Sequence, residues 1–389
     1  MFPLSSVVSA GQELTRAWTL AERLSLQNTL SHVLPGHRAS ACLRHRLGGS
    51  GVSVSTTPEG RTRLGGLMVC AAHHVCPVCH HKKMAHDRAR VEQLVGEHYE
   101  RGGFTVDCVL TIPHGRGDAL VDTLDLLERA WTALRGKALW RRLADDLGIV
   151  GLIRRFEVTL SENGWHPHFH VSLLCNWAAA NEVKGHSRQA VLDDVHALVA
   201  GAWAEAGRKI VLAVSLHAQA AVALVSAADG LKAVGYNTKN LGYSNKRGSL
   251  TPFDLLRIVD QSKNQAAVRA AKRLFREYAD AVKGKHALTF AGVARPAKAA
   301  VAVAAVEPKK REEEDRLGII ASAGWSAIVK AGLREAIAQV KTRGELEGVV
   351  LLAALSVGNR NIPSGWLVLA EAKSVIAVKG SQAAESAGA

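Results

Sequence analysis

The clearest pattern of apolar and polar positions in the chain lies between residues 153 and 174. In IRRFEVTL (153–160), Phe156, Val158 and Leu160 are apolar, and Arg155, Glu157 and Thr159 are polar between them. In NGWHPHFHVSLL (163–174), Trp165, Pro167, Phe169, Val171 and Leu173 alternate with His166, His168, His170 and Ser172. A period of two is that of a β-strand, whose successive side chains point to opposite faces. On a helix, histidines two apart would splay by about 200°. SENG (161–164) between the two runs is turn-forming, so the segment predicts a hairpin with one polar and one apolar face. Pro167 lacks a backbone donor, which places it near a strand start or on an edge.

The length of the turn sets what faces what. If Asn163-Gly164 is a two-residue turn, Glu157 lies opposite His170 with His168 diagonal to it. If all of SENG is the loop, Leu160 pairs with Trp165 and Glu157 lies opposite His168. Either even-length turn puts Glu157 on the histidine face, whereas a three-residue loop without a bulge would not. Two imidazoles and a carboxylate make a metal site with open positions, suited to Mg²⁺ or Mn²⁺. The plainer alternative is a polar sheet face wetted by solvent.

Elsewhere the pattern alternates between strand and helix. FTVDCVLTIP (104–113) reads as a strand, and DTLDLLERAWTALRGKALWRRLADDL (122–147) as helical. Residues 189–206 form an amphipathic helix, VALVS (222–226) a strand, and DGLKAVGYNTK (229–239) a helix-like run. NQAAVRAAKRLFREYADAVKG (264–284) is a basic helix. These elements predict an α+β fold with a central antiparallel sheet, flanking helices, a zinc-knuckle-like N-terminal region and a small C-terminal appendage. Four stretches are drawn: a basic N-terminal region with a Cys/His cluster over 1–100, the hairpin-bearing domain over 101–293, a low-complexity linker over 294–316, and an appendage over 317–389. Within the first, residues 1–60 read as basic and loop-rich. The tail GSQAAESAGA is expected to be disordered.

Composition narrows the partners. The chain has 389 residues, a net charge of +14 and 48% hydrophobic residues. That is a globular composition with an excess of positive charge, which favours a polyanionic partner, most simply nucleic acid. No run of 18 apolar residues occurs, so no membrane helix is expected. The N-terminus lacks the features of a secretory signal, and six cysteines in a chain this long do not make a disulfide scaffold. A cytoplasmic location is the expectation. No G-x-x-x-x-G-K-[ST] motif is present, so no P-loop motor is visible.

Two further segments carry chemistry. In CAAHHVCPVCHH (70–81), Cys76 and Cys79 form a C-x-x-C pair, Cys70 lies six residues before it, and Cys42 is available as a fourth thiolate. That set suits tetrahedral Zn²⁺ holding together a loop-rich region, with His73, His74, His80 and His81 as competing ligands. A redox pair and ordinary free thiols are the alternatives. Cys108 and Cys175 read as packing residues. In GYNTKNLGYSNK (235–246), Tyr236 and Lys239 share a helix face, and Tyr243 and Lys246 repeat the spacing. A tyrosine is a covalent nucleophile, a metal polarises a phosphodiester, and a lysine adds positive charge. Together they suit cleavage of DNA through a phosphotyrosine link.

At these residues the chain resembles the plasmid rolling-circle replication initiators (Rep proteins, actinobacterial-type members) of the His-hydrophobe-His endonuclease superfamily. CVLTIPH (108–114), EVTLSENGWHPHFHVSLL (157–174) and AVGYNTK (233–239) resemble three motifs in the family's order. SLTPFDLL (249–256) and VCPVCHHKK (75–83) resemble flanking segments of actinobacterial members. The resemblance implies that His168 and His170 are the paired metal ligands, with His166 a supporting or DNA-contacting residue and Glu157, chosen by parity, the third ligand. It implies that Tyr236 attacks origin DNA to leave a 5′-phosphotyrosine and a free 3′-OH, which a host polymerase extends while a host helicase unwinds. In some relatives a Glu one helical turn before the tyrosine activates water for termination. Here that position is Lys232, and Asp229, about two turns before Tyr236, is the substitute that spacing offers. Tyr243 is a second candidate nucleophile, against which Gly242 and the Asn-rich surroundings argue. Two other readings stand beside this one: a relaxase or transposase with the same core, and a non-catalytic zinc-containing DNA-binding protein.

Overall fold

The computed structural model describes residues 18–49, 51–177, 188–237, 249–292 and 315–370. It combines helices with two antiparallel sheets, as the alternation of elements predicts. The chain divides into two compact units. The larger comprises residues 1–47 and 67–313, and the smaller residues 48–66 and 314–389.

The larger unit begins with α1 (Leu20–Val33), whose N-cap Thr19 and Glu22 bond each other's backbone in a capping box. This helix lies inside the stretch expected to be loop-rich. Its sequence hides it, because polar Gln27 and Thr29 are buried beside Leu24, Leu26 and Leu30 and blur the amphipathic stripe. Gln27 bonds the carbonyls of Ala39 and Ser40, and Thr29 bonds Asp260, so the buried polar groups are satisfied. α2 (Pro77–Glu100) follows, with proline in its first turn, where a missing N–H costs nothing.

Then come β3 (Phe104–Thr111), α3 (Leu120–Leu134), α4 (Lys137–Leu147), β4 (Ile149–Ser161) and β5 (Gly164–Cys175). The helical run predicted over 122–147 is broken in two at Gly136, which becomes the N-cap of α4. α5 (Arg188–Lys209), β6 (Ala220–Leu224), α6 (Ala227–Asn237), α7 (Pro252–Gln261), α8 (Gln265–Ala281) and β7 (Leu288–Ala291) complete the unit.

Its five strands run in the order β6-β3-β5-β4-β7, every pair antiparallel. One face is apolar: Phe156, Val158, Phe169, Val171 and Leu173 are buried against α3, α4 and α5. There Arg154 lies over the rings of Trp131 and Phe169 and pairs with Glu128 at 2.9 Å. The other face is split. Towards the far end of the hairpin, Ile153 and Leu174 pack with Val91, Leu94 and Val95 of α2 and Val234 of α6. Towards the turn, the same face carries Glu157, His168 and His170.

The smaller unit is a four-stranded sheet, β2 (Thr62–Gly65), β1 (Val52–Thr56), β8 (Asp315–Ile320) and β9 (Leu367–Leu369) in that order. α9 (Ser322–Lys330), α10 (Arg334–Ile337) and α11 (Arg343–Ser356) supply its core with Trp325, Ile328, Leu346 and Val350. Gly318 allows the close approach, since a Cβ there would meet the Val368 carbonyl at 2.8 Å. This division departs from the boundaries drawn on the sequence. Residues 48–66 join the C-terminal segment because β1 pairs with β8 across more than 250 residues, and such pairing leaves no local mark.

Candidate functional site

The hairpin turn settles the register. Ser161 pairs with Gly164, so Glu162 and Asn163 form the turn, and Gly164 adopts φ 97°, a left-handed value open to glycine. Leu160 then pairs with Trp165, and Glu157 lies directly opposite His168, with Arg155 opposite His170. Of the two registers weighed above, this is the one in which Glu157 faces His168.

The three donors converge. His170 Nε2 is 2.9 Å from Glu157 Oε2 and 3.2 Å from His168 Nε2, and His168 Nε2 is 3.7 Å from Glu157 Oε2. One atom from each residue falls within 4.8 Å of the other two. Adjacent donors around an octahedral ion with 2.1 Å bonds would be about 3 Å apart, so the set fits a divalent ion with positions left open. His168 Nδ1 lies 3.2 Å from the His166 carbonyl, which can only accept. Nδ1 therefore carries the hydrogen, and the Nε2 lone pair faces the cluster.

The electrostatics favour ligation. Burial pushes the His168 imidazole down to about 3, so the ring is neutral at physiological pH. Burial alone would raise the Glu157 carboxyl, but the hydrogen bond from His170 and the nearby Arg155 guanidinium hold it well below the usual range. The site therefore offers a carboxylate and an unprotonated imidazole, which a metal requires.

His166 stands apart from the three. Its Nδ1 is 2.8 Å from His114 Nε2 and 3.4 Å from Thr111 Oγ1, and burial lowers it to about 4. His114 was not singled out on the sequence, although it ends the CVLTIPH segment. Thr111, opposite His168 on β3, is fixed by two long-range bonds: Trp203 donates to its carbonyl at 2.7 Å, and its N–H donates to Gln219 at 2.8 Å. Asp107, opposite Ser172 on the same face, is a further carboxylate that sequence reasoning passed over. Its single position within an apolar strand gave no signal.

Tyr236 lies in the last turn of α6. The helix starts beside the far end of the sheet. Gly230 abuts Tyr99, whose hydroxyl reaches Thr105 and the Leu224 carbonyl. Gly235 lies beside Arg88, so α6 runs along α2 towards Met84, which contacts Arg155. Asp229 sits at the opposite end of α6, about 10 Å along the axis from Tyr236. Its carboxylate accepts from Ser226 Oγ at 2.7 Å, and that hydroxyl in turn accepts from the Asp229 N–H at the start of α6, so Asp229 is not among the residues that converge with Glu157, His168 and His170. Lys239 and Tyr243 lie outside the described residues.

The second cluster is entirely thiol. Cys42, Cys70, Cys76 and Cys79 are buried, form no disulfide, and place their sulfurs within 4.8 Å of one another. Cys79 Sγ is 3.6 Å from Cys42 Sγ and 3.5 Å from Cys70 Sγ. A tetrahedral zinc with 2.3 Å bonds would separate its sulfurs by about 3.8 Å, so the set fits a closed structural ion. The chain turns sharply after two of the ligands: Leu43 and Ala71 take φ of 53° and 54°, a left-handed conformation costly for residues other than glycine. Hydrogen bonds from Cys42, Cys70 and Cys79, with burial, hold the Cys76 thiol far above its ordinary value. Four thiols this close cannot share negative charge without a cation among them. Two of the competing histidines bond elsewhere, His80 to the His73 carbonyl and His74 to that of Lys285, and none of the four joins the thiol cluster.

These features define a mixed α/β protein carrying a closed thiol cluster and an open His/Glu cluster on a sheet. Residues 61–179 match the family described as Replication protein. The resemblance to replication initiators therefore holds over the segment that contains the histidine hairpin and three of the four clustered cysteines. Over 153 residues the chain is 33% identical to "Protein rep" of Streptomyces lividans, covering 32% of this chain and 33% of that relative. Over 150 residues it is 29% identical to a protein of Streptomyces cyanogenus named "Neomycin resistance protein", covering 32% of this chain and 34% of that relative. The chain thus spans about a third of the length of the curated relatives it matches. No solved structure matches. Among the described residues no helix is long and apolar enough to cross a membrane.

Proposed function

We propose that this protein initiates plasmid replication by nicking one strand of origin DNA with Tyr236 and later rejoining it. The observation that carries the reading is the convergence of Glu157, His168 and His170 on the polar face of a hairpin whose sequence matches a replication family. The course of α6, which carries the Tyr236 backbone towards the Arg88 and Met84 end of α2, supports it.

In this reading residues 101–293 are the nicking and joining domain. A divalent ion, Mg²⁺ or Mn²⁺, bound at the cluster would polarise the scissile phosphodiester and offset charge on its oxygens. Glu157, His168 and His170 hold that position, and the His166 carbonyl keeps His168 in the required tautomer. The Tyr236 oxygen loses its proton and attacks phosphorus. The bond to the 3′ oxygen breaks, that oxygen takes up a proton, and a 5′-phosphotyrosine and a free 3′-OH result. Lys239 adds positive charge beside the nucleophile. The reverse attack by a 3′-OH on the phosphotyrosine rejoins the strand. A host polymerase extends the 3′ end and a host helicase opens the duplex. The thiol cluster, with zinc, holds the N-terminal loops and the start of α2.

The test is a nicking assay on the supercoiled parent replicon with Mn²⁺, with the adduct mapped to a residue. Wild type should relax the plasmid and trap a covalent adduct at Tyr236, and Tyr236→Phe should do neither. A Tyr236→Phe protein that still nicks and traps an adduct overturns the assignment. A wild-type protein that binds origin DNA but never cuts it leaves the non-catalytic zinc-containing DNA-binding reading. Cleavage at a transfer origin or transposon end would point instead to a relaxase or transposase.

A further inference from the structure

Beside the His/Glu cluster stands a cation that the reaction above does not use. Arg155 lies opposite His170 and two residues before Glu157, so its side chain leaves the sheet on the same face as the candidate ligands. It is half-buried. The guanidinium's one hydrogen bond among the described residues runs from Nη2 to the Met84 thioether at 3.3 Å, a weak acceptor.

The nearby carboxylates are committed elsewhere. Glu157 is held by His170 and His168. Asp87 of α2 is engaged by Lys83 and His86. Among the described residues neither carboxylate forms an ion pair with Arg155. A guanidinium presents five donors in a planar fork that matches the oxygens of a phosphate. Drawing such a group part-way out of water against a thioether is costly unless an anion completes it.

We propose that Arg155 forms, with the open side of the Glu157–His168–His170 cluster, a phosphodiester-binding subsite. Its guanidinium grips a non-bridging oxygen of the DNA phosphate while the opposite side of that phosphate faces the cluster. The subsite deepens the nicking reading and rests on it for the identity of the DNA. It adds a protein cation to the transition-state charge, placed across the hairpin from His170.

Arg155→Met and Arg155→Lys, made in the full chain, test it in two arms. On the supercoiled parent replicon with Mn²⁺, Arg155→Met should lower nicking by about 100-fold, the scale of removing one preorganised donor, and Arg155→Lys should recover part of the loss. Mn²⁺ affinity, followed by electron paramagnetic resonance, should stay within about threefold of wild type, which a general collapse of the site would not allow. In the second arm the wild-type protein, with zinc retained at the thiol cluster and no other divalent ion added, is titrated with inorganic phosphate. Phosphate should bind, shield Arg155 from an arginine-specific dicarbonyl reagent in peptide mapping, and fail to bind Arg155→Met. Nicking by Arg155→Met within threefold of wild type, or an Arg155 that phosphate does not shield, overturns the proposal. The shielding readout needs no variant, so it decides the matter even if Arg155→Met does not fold. If wild type never nicks yet phosphate still shields Arg155, the nicking reading falls and the anion subsite stands.

Discussion

The thiol cluster and the His/Glu cluster are built on opposite plans. Cys42, Cys70, Cys76 and Cys79 come from loops and the first turn of α2, and their sulfurs face one another in a closed, buried set. Glu157, His168 and His170 project from two inner strands of a sheet whose apolar face has its own core. In the first, four donors leave no room for a further ligand, which suits an ion that holds structure together. In the second, three donors on one side leave the other side open, which suits an ion that meets a substrate. The surroundings differ in the same sense. Loops with left-handed Leu43 and Ala71 must be held by something other than packing, whereas the hairpin would form without any ion.

Four experiments would break or sharpen that contrast. The largest effect is expected from Cys79→Ser. Zinc content should fall from one ion per chain to none, and because structural zinc contributes on the order of 10 kcal/mol to a small region, nicking and DNA binding should be lost together. A Cys79→Ser protein that melts at the wild-type temperature would remove the structural role. Next, His168→Ala should lower nicking by about 10³-fold, roughly 4 kcal/mol of transition-state stabilisation, while affinity for origin DNA changes little, because Lys and Arg contacts to phosphates dominate binding. Parallel loss of both activities would erase the distinction between the clusters.

Acid should weaken the fold. His168 and His80 are lowered to about 3, and His74 and His166 to about 4, by burial. Above the ordinary histidine value near 6.5 these rings are neutral in both the folded and unfolded chain and stability is flat. Below it the unfolded chain takes up protons that the folded one refuses, so stability falls by up to about 1.4 kcal/mol per pH unit for each ring. Glu157, held below its ordinary value, adds stability above about 4.5 that is lost on further acidification, in the same direction. Urea midpoints measured without added divalent ions should drop between pH 6.5 and 4.5, and a flat profile would contradict the burial of these rings. The smallest effect is expected at the brace of the site. Trp203→Phe leaves the buried Thr111 carbonyl without its donor, at a cost of about 1–3 kcal/mol in thermal or urea unfolding, with both metals still bound.

Parts of this were legible in the chain and parts were not. Alternation placed His168, His170 and Glu157 on one face, and the C-x-x-C spacing located the thiol cluster. α1 has a blurred stripe because Gln27 and Thr29 are buried on its packed side, their hydrogen bonds supplied by Ala39 and Ser40 beyond the helix and by the distant Asp260. Asp229 stands out by helical spacing alone, and the structure adds that its carboxylate is bonded to Ser226 at the start of α6. Alternation put Arg155 on the polar face, but what Arg155 and His114 meet there is set by neighbours on other strands and helices.

By itself the sequence determined what is local. The two-residue pleat of a strand assigns each side chain to a face, so the ligand types and their shared side follow from residue order. The tertiary structure decided what distant segments do to one another. It chose the register that sets Glu157 against His168, brought Cys42 to Cys79, and drew residues 48–66 into the C-terminal sheet. Each of these depends on which segments can bury apolar surface and satisfy backbone hydrogen bonds together, and that is a property of the folded whole.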